Sequence, residues 1–440
     1  MLSLRLSVHL YAEITIIQGR TITGCAETVI GMTINKQKIL LLDNGREWGG
    51  GTNSMLELLK RIDRQKFDIT CCFYHNYSRG NDETIEATLN ALAIPVFFIP
   101  QIKQPRWAKL VKEAVRALLF FNKKLKKRVI DEIDTRWRIM PNASKINSLL
   151  QLGNFDTLYM NNQPSTNVEG YLAARSLDVA VVQHCRIDPV LEPRLVSMVN
   201  QDCQAVIAVS QGVNNTLRRH GIDAERCFTV SNAIDVHQTL PDRLEVRQRF
   251  KLSPSTFVFG TIGSLILRKS NHHILQALGR FKRANPDADW RMVIVGAGPE
   301  LQHLLQLATA ENIQHHVVFT GFQNNALDYL TAFDAFILAS RSEGLPRVVL
   351  EAMLVNTAVV GSRVVGTAEL ISHDETGLLF DYGNVVQLTQ HLTALWQDAD
   401  LRQRLINAAA KRVREQYAIE TYISGVENIL QSVAKKKPHA

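Results

Sequence analysis

The chain has no run of eighteen or more uncharged apolar residues, so no segment is long enough to cross a bilayer as a helix. Its six cysteines (25, 71, 72, 185, 203 and 227) are scattered and contain no CxxC pair. That disfavours a zinc knuckle or a disulfide framework and fits a reducing, cytoplasmic setting. Residues 1–31 lack the basic start and long apolar core of a signal peptide. The expectation is that translation starts at Met32 and that 1–31 is a disordered or mis-assigned extension. There is no short internal repeat and no low-complexity tract. Val295-Gly-Ala-Gly298 is not a dinucleotide fingerprint, because the third glycine would fall at Leu301. Asp287-Ala-Asp289 lies beside Pro286 with no strand before it, and His272-His273 have no further ligand at helical spacing. No metal and no cofactor are therefore expected. No readable nucleic-acid-binding module is present, which argues against that partner.

What is there points to a soluble α/β protein. At 440 residues two domains are the natural expectation. The 46% hydrophobic and 21% charged content is that of a folded chain, and a formal charge of +8 calls for an anionic partner without naming it. Short β-rich runs alternate with helical windows: 38–43, 67–74, 94–99, 155–160, 179–183, 205–209 and 228–230, then 257–262, 291–295, 317–320, 335–338 and 358–360. Such alternation gives parallel sheets with crossover helices, here two doubly wound domains. The expected domains are 32–238 and 239–416, with 417–440 a helix returning to the first.

One stretch is richer in chemistry than any other: Glu343-Gly-Leu-Pro-Arg-Val-Val-Leu-Glu351, after the apolar run 335–339. A strand, a Gly/Pro turn and a helix build the crevice of an α/β protein. Glu343 falls in the turn and Glu351 about two helical turns later. Free N–H groups at the helix start suit a diphosphate, and the two carboxylates suit sugar hydroxyls. Gly49-Gly-Gly51 follows the first strand, either as a loop that lets phosphate or acceptor approach or simply as a turn. His184 ends the 179–183 run, where a polar side chain belongs to a crevice, though a satisfied structural histidine is equally open.

Taken in order, these motifs resemble glycosyltransferase family 4, the group 1 retaining transferases of GT-B fold. The carriers are Glu343 and Glu351, Ser231-Asn-Ala-Ile-Asp235, Gly260-Thr-Ile-Gly263 through Lys269, Val295-Gly-Ala-Gly298, Phe319-Thr-Gly-Phe322, and Gly366-Thr-Ala-Glu369 followed by Thr376-Gly-Leu-Leu379. The resemblance implies two Rossmann-like domains facing a central cleft, the first holding the acceptor and the second the donor. It implies transfer of a sugar from a nucleotide-diphosphate sugar to a hydroxyl of a glycan or lipid-linked acceptor, as in lipopolysaccharide or other surface-polysaccharide synthesis. Glu343, His184 and Lys269 become the catalytic candidates. Glu351, Lys269, Arg268, Gly344, Leu345, Arg347, Gly263 and Ser264 become the donor contacts. Ser264 stands where the family usually carries an arginine, and Arg268 or Arg347 are the candidates to replace its charge. A sugar-nucleotide epimerase of the same fold and a non-catalytic nucleotide-sugar-binding regulator are the alternatives.

Residues 103–128 hold ten Lys/Arg and one acid, Glu113. On a helical wheel Lys109, Lys112, Arg116, Lys123 and Lys127 share one side, opposite Leu110, Ala114, Leu118, Phe121 and Leu125. With Trp107 at its start, a continuous helix over 105–128 is expected. It either lies on an anionic membrane surface or packs its apolar stripe on the first sheet.

Overall fold

The structure, a computed structural model, describes residues 36–43, 48–80 and 83–434. The extension 1–31 and the turn at Asn44-Gly45 lie outside them. In the first half the chain runs β1 (Gln37–Asp43), α1 (Gly50–Arg61), β2 (Phe67–Phe73), β3 (Ser78–Arg79), β4 (Glu83–Thr84), α2 (Ile85–Ala91), β5 (Val96–Phe98), α3 (Arg106–Leu118), α4 (Lys123–Asp134), α5 (Met140–Gly153), β6 (Thr157–Asn161), α6 (Val168–Ala174), β7 (Ala180–Cys185), α7 (Pro193–Asp202), β8 (Ala205–Ala208), α8 (Gln211–Arg219) and β9 (Cys227–Thr229). The second half runs α9 (Arg243–Arg249), β10 (Phe257–Ile262), α10 (Asn271–Ala284), β11 (Trp290–Val295), α11 (Leu301–Ala310), β12 (Val317–Gly321), α12 (Ala326–Ala332), β13 (Ala335–Leu338), α13 (Arg347–Leu354), β14 (Ala358–Ser362), α14 (Val365–Leu370), β15 (Leu378–Phe380), α15 (Val385–Gln397), α16 (Ala399–Gln416) and α17 (Ile419–Ala434).

Among the described residues the strands form two fully parallel sheets, ordered β5-β2-β1-β6-β7-β8-β9 and β12-β11-β10-β13-β14-β15. Each of the twelve expected strands is present. β1 shows why: Ile39-Leu-Leu-Leu42 is buried on both faces, as a central parallel strand must be. The hairpin β3–β4 and the edge strand β15 were not expected. Two- and three-residue strands carry too few side chains to show a period. In each sheet the order reverses beside the first strand, between β1 and β6 and between β10 and β13. Crevices form at the carboxyl ends of such strands.

α17 packs on the first sheet although it follows the second. Its Tyr422, Val426 and Leu430 share a buried cluster with Leu41, Met55 and Leu59. Burial pushes the Cys72, Cys185 and Cys203 thiols up to about 12, so they behave as small core residues. Among the described residues no helix is long and apolar enough to cross a membrane.

The continuous basic helix expected over 105–128 is corrected to two. α3 ends at Leu118, and Asn122 caps α4 by accepting from the Leu125 N–H. Lys112 does not share the open basic side either, because it pairs with Asp134 at 2.8 Å. Helical periodicity is silent on a turn that merely resets the phase.

Candidate functional site

Both switch points open on one cleft of about 990 Å³. From the first half it is lined by Asp43 and Asn161 at the ends of β1 and β6, by residues 48–53, and by Gln101, Arg138, Glu169 and Arg186. The second half supplies Gly263, Ser264, Arg268, Lys269, Phe322, Gln323 and the turn from Glu343 to Arg347 with Glu351.

The second wall concentrates charge. Glu343 is 6% exposed, and its carboxylate accepts from Lys269 Nζ at 2.6 Å with Arg268 Nη1 at 3.4 Å from the same oxygen. Burial alone would raise this carboxyl, but Lys269 and then Arg268 hold it below its ordinary value. Arg268 also donates to the Ser342 carbonyl at 2.7 Å. Lys269 closes a short 3-10 turn, and Ser270, left-handed at φ +49°, redirects the chain into α10. Arg347 is more fully engaged, donating to the Ala233 carbonyl at 3.1 Å and standing 3.7 Å from Glu351. Of the two arginines expected as candidates to replace a charge at Ser264, Arg268 is the one beside Lys269.

Glycine decides two close approaches here. A Cβ on Gly344 would sit 2.2 Å from the Arg186 carbonyl oxygen, and one on Gly366 would sit 2.1 Å from that of Gly344. The turn from Glu343 to Arg347 thus touches the first half at backbone level. Gly296 and Gly298 pack the same way against the carbonyls of Gly263 and Leu265, so Val295-Gly-Ala-Gly298 is structural. Asp289 accepts from the Thr256 hydroxyl at the opposite, amino end of β10 and β11, away from the cleft. His272 and His273 lie in the first turn of α10, with His273 against Tyr382.

On the first wall, the glycine-rich segment is corrected from a loop to a helix start. Gly50 and Gly51 open α1, and Gly49 caps it in extended geometry. Among the described residues no atom would meet a Cβ on Gly49 or Gly50 within 4 Å, at the start of α1 where helical N–H groups have no partner within the helix.

His184 is also corrected. It is wholly buried and does not line the cleft; its Nδ1 is hydrogen-bonded to the Tyr159 hydroxyl at 2.5 Å, and its ring faces Tyr422 of α17. Strand alternation explains this: His184 shares the face of Val182, which packs into the cluster holding Tyr422. Burial, then the Arg186 charge, push its imidazole far below the ordinary value, so the ring is neutral. The cleft position belongs to Arg186, which sequence reasoning missed. Its Nε donates to Asn161 at 2.7 Å and its Nη2 to Tyr422 at 3.1 Å, while Asn161 donates to Asp43 at 2.6 Å. Arg186 Nη1 reaches Asn232 at 3.4 Å, and Asn232 donates to the Leu345 carbonyl at 2.8 Å. Polar residues at three successive strand ends were the available signal.

Two parallel sheets whose switch points share one cleft form the GT-B architecture. Residues 48–238 match Glycosyltransferase Family 4 and residues 242–412 match Glycosyl transferases group 1, and the chain belongs to this family. It is 27% identical over 67% of its length to the N-acetyl-alpha-D-glucosaminyl L-malate synthase of Bacillus anthracis, covering 79% of that enzyme. To the lipopolysaccharide core biosynthesis glycosyltransferase LpsD of Rhizobium meliloti it is 30% identical over 37% of its length, spanning 46% of that protein. The solved structure of Anabaena Alr3699/HepE in complex with UDP and glucose superposes with a TM-score of 0.72 at 20% identity, over 90% of this chain and all of the other. At that identity the likeness is one of fold.

Proposed function

We propose that this glycosyltransferase moves a sugar, with retention, from a nucleotide-diphosphate sugar to a hydroxyl of a glycan or lipid-linked acceptor in surface-polysaccharide or lipopolysaccharide synthesis. The observation that carries the proposal is the convergence of Lys269 and Arg268 on Glu343, eight residues before Glu351 on the same cleft wall. In the free protein Glu343 occupies the cations. A bound diphosphate takes them over, releasing the carboxylate to accept from donor-sugar hydroxyls. Glu351 accepts from the ribose hydroxyls, and Arg347, 3.7 Å away, keeps it in place.

As the glycosidic bond to phosphate breaks, negative charge grows on the leaving diphosphate. Lys269, Arg268 and the free N–H groups at the start of α13 face that charge, without a metal ion. The acceptor hydroxyl attacks from the same face and passes its proton to the leaving phosphate, which leaves no role for an enzymic nucleophile and none for His184. The first wall holds the acceptor opposite the open start of α1. A cytoplasmic site of action goes with this reading, since its donor is a nucleotide sugar. The test is thermal melting with UDP-, GDP-, ADP- and CMP-sugars. One nucleotide class is expected to raise the melting temperature of the wild type, and Glu351→Ala to abolish the rise. No rise with any of them overturns the proposal, and turnover of the donor without an acceptor favours an epimerase.

A further inference from the structure

The first wall has an unusual connectivity. Gln101 and Arg138 both line the cleft, and the whole excursion through α3 and α4 leaves and re-enters the wall between them. Ala108 is the only fully buried residue of these two helices. Leu110, Leu118, Phe120 and Phe121 are each 71–73% exposed, so the apolar stripe does not pack on the first sheet. Around them lie the ten basic residues of 103–128. Lys112, Arg116 and Lys127 are ion-paired, whereas Lys109, Lys123, Lys124 and Arg128 are exposed without such a pair.

The base of this hairpin is built differently. Trp107 meets Trp137 edge-on at 4.8 Å between centroids. Residues Thr135–Ile139 form a single π-helical turn, a geometry concentrated at functional sites. That turn delivers Arg138 to the cleft, 3.5 Å from the nearly buried Glu169. Asn142, 1% exposed, accepts from the Ile102 N–H at 2.8 Å and donates to the carbonyls of Ile102 and Arg138, at 3.2 and 2.7 Å. One buried amide therefore ties the entry of the hairpin, its exit and a cleft arginine together.

We propose that the α3–α4 hairpin docks on an anionic bilayer and, through Asn142 and the π-helical turn, sets the acceptor wall, so that the acceptor is an amphiphile carried in that bilayer. The inference rests on the transferase reading. Exposed aromatic and aliphatic side chains within a basic field match the chemistry of an anionic lipid interface. A second copy of the chain would bring like charges together. A nucleic-acid backbone would leave Leu110 and Leu118 with nothing apolar to cover them. With its lipid tail in the bilayer, the acceptor places its hydroxyl-bearing head at Gln101, Arg138 and Glu169.

The test uses the full chain with phosphatidylcholine vesicles, with and without phosphatidylglycerol, at low salt. The wild type is expected to pellet with the anionic vesicles only. The pair Phe120→Ser and Phe121→Ser should lose at least about tenfold in partitioning, through lost apolar burial. Lys123→Gln and Lys124→Gln should lose roughly fivefold for each charge removed. Amide hydrogen exchange should slow on binding at 101–104 and 138–142 as well as in the hairpin. Failure to pellet, equal pelleting by the variants, or protection confined to the hairpin overturns the proposal. Nucleotide-induced melting shifts are read on the same samples. Shifts that persist without vesicle binding sink the docking alone, and binding without any shift sinks the transferase reading, and with it the acceptor, while the docking stands.

Discussion

Lys269→Ala gives the sharpest test of how the second wall works. Lys269 is the nearer of the two cations on Glu343, at 2.6 Å against 3.4 Å for Arg268, and the carboxylate is 6% exposed. Stranding one member of a buried ion pair costs about 3–5 kcal/mol. Here Arg268 stays and the cleft admits water, so the expected loss is nearer ~2 kcal/mol. At roughly 2 °C per kcal/mol for a large domain, the melting temperature should fall by about 4 °C. The same lysine is proposed to meet the diphosphate. A charged hydrogen bond contributes about 1.5–3 kcal/mol, so nucleotide affinity should drop roughly 10- to 100-fold.

These two losses separate in the double variant Lys269→Ala/Glu343→Gln. Removing the stranded charge should restore most of the melting temperature and none of the affinity, measured by calorimetry with the nucleotide that shifts the wild type. pH gives a second handle. The Glu343 carboxyl is lowered in the folded state, so its pairing stabilises the protein above the ordinary value of 4.5 and is lost as pH falls through the lowered one. In Lys269→Ala the carboxyl is lowered less, so that loss should be smaller and complete at a higher pH. An unchanged melting temperature in the single variant, or recovered affinity in the double one, would refute the reasoning.

The remaining predictions concern the joint between the walls and the core. His184 is neutral in the folded protein and titrates near 6.5 once unfolded. Stability should therefore fall below that pH by up to about 1.4 kcal/mol per pH unit, and His184→Gln should flatten this part of the denaturation profile. Gly366→Ala puts a methyl group against the Gly344 carbonyl oxygen; chemical denaturation should show a loss of roughly 1–3 kcal/mol from forced repacking. Arg186→Met removes the partner of Asn161, Asn232 and Tyr422 together, and should lower both stability, by about 3 kcal/mol, and nucleotide affinity. A variant with wild-type stability would show that the polar chain is incidental.

The sheets were legible because parallel strands buried on both faces leave continuous apolar runs, as Ile39-Leu-Leu-Leu42 and Ala335-Phe-Ile-Leu338 do. Glu343 and Glu351 were legible because a turn and the helix that follows it fix their separation locally. His184 and Arg186 mark the limit. Both are polar, His184 inside β7 and Arg186 just past its end, and both meet Tyr422 of α17, more than two hundred residues later, a contact no local pattern shows. The hairpin illustrates another limit. The wheel treats 105–128 as one helix and so misplaces Lys112, because neither the break at 119–122 nor the staple through Asn142 leaves a periodic trace.

The path from one wall to the other explains why such distant residues converge. Asp43, Asn161, Arg186 and Asn232 are linked side chain to side chain, and the last bond of the series ends on a backbone carbonyl, that of Leu345 in the turn from Glu343 to Arg347. Beside it Gly344 and Gly366 bring three backbone segments within van der Waals range. Side-chain contacts can slide by changing rotamer, whereas backbone contacts between rigid turns cannot. A rotation that opens the cleft must therefore break the Asn232–Leu345 bond or pivot about it. Pivoting leaves the polar series intact and keeps Glu343 at a fixed distance from the first wall while the outer rims, including Gln101 and Arg138, swing.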